Sequence, residues 1–132
     1  MHTNFAFLCD AAAQGADGKL HALGIGISQL RASQVPVQRP MMVLVAQIAF
    51  AHDEVGARAV SIRVIDPDGG NVIPPVDGEI AFSAPEGTLS PVAQVVLELN
   101  LVTFPRYGVY SVELAIDGQS IASLPIEVLP AA

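Results

Sequence analysis

The sequence predicts an all-β domain, a β-sandwich of roughly seven to nine antiparallel strands. Three observations carry that prediction. Apolar residues recur at every second position over most of the chain, and no helical period competes with them. The runs are separated by turn residues of the right chemistry, at intervals of about ten to twelve residues. Eleven glycines and ten prolines supply that punctuation.

Taken in order, residues 4–13 open the chain with Phe5, Phe7 and Cys9 on one face and Ala6 and Leu8 on the other. Gln14-Gly15-Ala16-Asp17-Gly18 reads as a turn into a strand over 19–30. One face of that strand is Leu20, Ala22, Gly24, Gly26 and Ser28, nearly bare at its centre. Two glycines weaken a strand, so a large side chain, a bulge or another chain is expected to pack close there, with the internal explanation favoured. After a proline-bearing connection over 31–40, the next strand sets Leu44, Ala46, Ile48 and Phe50 opposite Met41, Val43 and Val45.

The later strands are cleaner. Val60, Ile62 and Val64 alternate with Ser61 and Arg63 in residues 58–65, before the turn Asp66-Pro67-Asp68-Gly69-Gly70-Asn71. Connections over 71–78 and 84–91 follow. In residues 93–101, Val95, Leu97, Leu99 and Leu101 alternate with Gln94, Glu98 and Asn100. In 107–117, Tyr110, Val112, Leu114 and Ile116 form one face, and Asp117-Gly118 signals a hairpin into 120–128. Period two with one wet face marks antiparallel sheet. Pro125 cannot donate a ladder bond, so the last strand is expected at an edge or in a pairing that leaves that position outward.

A chain of 132 residues suits one domain, residues 1–132, with a core large enough to fold without metal or disulfide. Its 52% apolar and 14% charged content excludes disorder. The net charge of −7 makes nucleic acid and anionic membrane poor partners. A single cysteine, Cys9, rules out an internal disulfide and fits a reducing compartment. No signal peptide is visible, and the longest apolar run, residues 41–51, is about half a membrane span. The cytoplasm is the expected location.

Thr3 to Ala12 (Thr-Asn-Phe-Ala-Phe-Leu-Cys-Asp-Ala-Ala), then Asp17-Gly18-Lys19-Leu20 leading into Gly24-Ile25-Gly26, resembles the start of a family of small uncharacterised bacterial proteins. Phe104-Pro105-Arg106-Tyr107-Gly108-Val109-Tyr110 with Asp117-Gly118 is similar to that family's final hairpin. The resemblance covers nearly the whole chain and rests on fold motifs. It implies an immunoglobulin-like sandwich with no established activity and carries over no functional residue. Gly108 and Tyr110 have a reading of their own. A tyrosine two residues after a glycine at a strand start can return its hydroxyl to the backbone, as in a tyrosine corner.

Catalytic vocabulary is thin. There is no Gly-x-Ser-x-Gly elbow, and Cys9 lies in an apolar run without a positive neighbour. His2, His21 and His52 have no metal-ligand spacing, and Gly24-x-Gly26 lacks the third glycine and helix of a phosphate loop. Asp66-x-Asp68-Gly69 is explained by turn chemistry without calcium. No cofactor and no metal is called for. If strands alternate in direction, Asp17, His52, Asp53, Glu54, Glu86 and Asp117 gather at one end as an acidic rim with Lys19 the nearby base. Such a rim suits a divalent cation or a basic partner.

The two-sided apolar strands give a stronger signal. A second greasy face is either covered by connections or is an interface, and Ala6, Leu8, Met41, Val43 and Val45 mark it. The reading favoured is a non-catalytic binding or assembly module of unknown role, pairing with itself or with another protein. The alternative is a metal-dependent or hydrolytic enzyme built on the acidic end around His52.

Overall fold

The computed structural model describes residues 1–131. Its strands run in chain order as β1 (His2–Cys9), β2 (Ala11–Gln14), β3 (Leu20–Leu23), β4 (Gln29–Ala32), β5 (Val37–Ala49), β6 (Gly56–Ile65), β7 (Val76–Phe82), β8 (Val92–Phe104), β9 (Gly108–Ile116) and β10 (Gln119–Pro130). One 3-10 turn, His52–Glu54, is the only helical element among the described residues. The protein is therefore all-β.

Three sheets form. One has the order β1-β5-β8, a second β4-β10-β9-β6-β7, and the third is the β2-β3 hairpin. Every pairing is antiparallel except β4 with β10, which is parallel. The first two sheets share one core. Leu44, Ala46 and Ile48 of β5 and Leu99 and Phe104 of β8 meet Ile62, Tyr110, Leu114 and Ile126 from the five-stranded sheet. Phe50 stacks on Phe82 at 4.4 Å between ring centres, and Phe104 meets Tyr110 edge-on at 4.9 Å. Alternation puts these side chains on one face of each strand, and their burial removes the apolar surface that drives folding.

The clean alternations of the second half become β6, β8, β9 and β10 with their expected inner residues, Leu101 of β8 excepted. The first half differs. The strand expected over 4–13 bends at Asp10, and the one expected over 19–30 is broken between Leu23 and Gln29. Gly24 and Gly26 are the reason, with φ of 68° and 96°, a region that favours glycine. A Cβ on Gly24 would stand 2.0 Å from the Asp10 carboxylate, so the close packing expected there is internal. The freed segment returns to β1, where the amides of Gly26 and Ile27 both donate to the Leu8 carbonyl.

Leu101 also departs from its expected face. It has φ of 55° and is 63% exposed, whereas Leu99 and Val102 are buried. The inward face shifts by one residue at this point, opposite Pro40, which has no N–H to offer the ladder. Pro125 lies in β10 between β9 and β4, yet β4 pairs only from Glu127 onward, so the side that lacks a donor meets no strand.

Candidate functional site

The acidic rim assembles only in part. Glu54 closes the 3-10 turn and accepts from the Met1 amino group at 3.0 Å and from the Ala51 amide at 2.9 Å. Those bonds, the amide foremost, hold its carboxyl below the usual range. Asp117 accepts from the Ala59 amide at 2.9 Å and from the Arg58 guanidinium at 3.1 Å. The amide first and the guanidinium second lower its pKa as well. Arg58 joins the two, because its guanidinium also donates to the Glu54 carbonyl at 2.9 and 2.6 Å.

Arg58, and not Lys19, is thus the cation of this end. Its place at the start of β6, across from Asp117 in the turn after β9, follows from the β6-β9 register. Lys19 pairs instead with Asp17 at the hairpin tip, at 3.8 Å. His52 shares a hollow with Met1, His2, Glu54 and Leu89, while Asp53 is exposed and Glu86 stands in the connection after β7. Among the described residues no group of three or more histidines, cysteines or acids is placed to hold a metal ion. The carboxylates that do converge are already used in fastening Met1, the 3-10 turn and the β9-β10 hairpin together.

Tyr110 is fully buried, and its hydroxyl donates to the Arg106 carbonyl at 2.8 Å while accepting from the Arg106 amide at 3.2 Å. Gly108 is required beside it, because a Cβ there would stand 2.7 Å from Pro67 Cγ at a φ of 144°. Both residues anchor the turn into β9 and leave no group free for chemistry.

The five residues marked as an interface separate. Ala6 and Leu8 face the main core, Leu8 fully buried. Val43 and Val45 face the opposite way and are also buried, with exposures of 1% and 0%. Only Met41 is exposed, at 38%. The face expected to meet another molecule is covered from within the chain: Cys9, Val43 and Val45 pack against Phe7 and against Ala12, Leu20 and Ala22 of the β2-β3 hairpin. An amide ladder holds the hairpin tip across the sheet, running Asn4 to Gln47 to Gln94 to the Gly18 carbonyl. Burial raises the Cys9 thiol pKa, and the thiol donates to the Ala11 carbonyl at 3.4 Å.

Apart from Leu89, Val55, Val76 and Val109, the exposed large apolar side chains lie on the three-stranded sheet or its hairpin and the segment after it. Leu23 is 72% and Ile25 61% exposed, beyond the hairpin's buried face, and Phe5, Met41, Val96 and Leu101 belong to the three-stranded sheet. Sequence reasoning missed Leu23 and Ile25 because it placed both in one long strand. The positive-φ glycines between Leu23 and Ile27 were the available signal.

No helix among the described residues is long and apolar enough to cross a membrane. The chain belongs to a family of unknown function, DUF6941, which matches it over residues 4–129. No curated protein matches it.

Proposed function

We propose that this chain is a non-catalytic protein-interaction module that assembles with itself or with another protein through the side carrying the three-stranded sheet and its hairpin. The observation behind this reading is the concentration of exposed apolar side chains there, with Leu23 and Ile25 at its crest. Single apolar groups such as Leu89, Val55 and Val109 elsewhere on the surface need no explanation, but the larger group on this layer marks a contact region. The saturated carboxylates at the Glu54–Asp117 end favour binding over hydrolysis.

We read the fold as an immunoglobulin-like sandwich. Its supports are the division of the N-terminal part between the two main sheets, β1 on one and β4 on the other, and the Tyr110 corner at the start of β9. The sequence resemblance and the single unpaired cysteine support a bacterial cytoplasmic setting, with neither nucleic acid nor membrane as partner.

Sedimentation velocity over a wide concentration range, on the native chain and on Leu23→Glu/Ile25→Glu, tests the reading. Concentration-dependent association that the double variant abolishes is the expected result. A native chain that stays monomeric, and whose capture of other proteins is unchanged in the double variant, sinks it.

A further inference from the structure

Two strand edges face each other across a cleft. β8 bonds to β5 along its length, and none of its backbone groups makes a further backbone bond on the other side among the described residues. β7 is the outermost strand of the five-stranded sheet on the same flank. Between them lies a cleft lined by Val60 and Ile62, by Val76 and Ile80 of β7, and by Val95 and Leu97 of β8.

We propose that this cleft receives one extended segment of a partner protein, which adds to the free edge of β8 as a fourth strand and is apolar at alternate positions and basic between them. The proposal names the surface and partner chemistry of the interaction module argued above, and rests on that reading. Three observations carry it. A free edge offers a row of unpaired N–H and C=O groups, the template for strand addition. The stretch of β8 that lines the cleft, residues 94–97, carries no proline and no charge to protect its edge, and the irregularity at Leu101 and the one charge, Glu98, lie beyond it. The apolar lining accepts every second side chain of an extended segment, about 7 Å apart.

Charge selects the rest. Asp77 and Glu79 stand exposed at the rim without ion-pair partners among the described residues, and no cation lines the cleft. Basic residues between the apolar ones would meet them. A second copy's β8 fits less well, because Glu98 is its one charge.

The probe is an acetylated, amidated Lys-Val-Lys-Val-Lys-Val-Lys peptide, titrated into isotope-labelled protein. Shifts confined to β7 and β8, with new hydrogen-exchange protection at alternate amides of residues 94–97, are expected. Asp77→Lys/Glu79→Lys, two exposed positions, should raise Kd about tenfold with the thermal midpoint unchanged. The matching Glu-Val peptide should not bind. Absence of binding, shifts centred elsewhere, or equal affinity for the acidic peptide overturns the proposal. Sedimentation of the same samples separates the two levels. Association through Leu23 and Ile25 without peptide in the cleft ends this inference alone; if neither occurs and the Leu23→Glu/Ile25→Glu variant captures the same proteins as the native chain, the interaction reading fails too.

Discussion

At the centre of the five-stranded sheet's outer face the side chains are polar: Arg63 lies beside Glu113 and Glu113 beside Ser123, and the hydroxyls of Ser111 and Ser123 both donate to the Glu113 carboxylate. On the three-stranded sheet the corresponding positions are Phe7, Cys9, Val43 and Val45, and the β2-β3 hairpin lies over them. The first face meets water directly and is held by side-chain hydrogen bonds. The second is a small core of its own, separate from the main one. A two-stranded hairpin is marginal alone, so hairpin and sheet each need the apolar face of the other. An apolar second face in a strand therefore announces a cover, and the cover here is made by the chain itself.

Val45→Asp breaks this comparison most sharply. It places a carboxylate without a partner between sheet and hairpin, and should cost about 3 kcal/mol or more. Arg63→Ala on the other outer face should stay within about 0.5 kcal/mol. Urea unfolding of the two variants measures both, and similar losses would show that the hairpin seals nothing.

Cys9 sharpens the comparison, since its thiol sits under the hairpin. Iodoacetamide should label it slowly, at a rate set by hairpin opening. Because burial raises its pKa above the ordinary 9.0, the folded chain keeps this proton after the unfolded chain has lost it. Stability from this group is therefore full below pH 9.0 and declines as pH rises through that value toward the raised one. Thermal melts of the native chain and Cys9→Ala should diverge on that alkaline limb alone. Parallel curves would mean the thiol is not desolvated.

The smallest effect concerns Leu101, whose φ of 55° is unfavourable for leucine and whose side chain is mostly exposed. Leu101→Gly should stabilise the fold by about 0.5 kcal/mol, because relief of strain exceeds the added freedom of the unfolded chain. A lower melting temperature would show that the exposed side chain makes contacts worth more than the strain.

The strands legible in the sequence were those with one wet face, such as β6, where Ser61 and Arg63 separate Val60, Ile62 and Val64. There the alternation and the burial are the same information. β1 and β5 carry apolar residues on both sides, so alternation alone could not say which side meets the main core or what covers the other. The break at Gly24 depends on the approach of Asp10, a contact between segments rather than a local preference. Arg58 escaped notice for the same reason, since its partner Asp117 lies 59 positions away. Tyr110 was readable because its bond returns to Arg106, only four positions back.

The parallel pairing of β4 with β10 has a consequence for the order of assembly. β4 precedes β5, yet among the described residues its one ladder partner is β10. During synthesis β4 therefore waits, unpaired, while every strand between them emerges from the ribosome. Such distant pairings slow folding, because the loop must close before its contacts repay it. A released chain cut before Gln119 would carry β9 as a raw edge, an aggregation-prone intermediate that the twelve residues of β10 otherwise close.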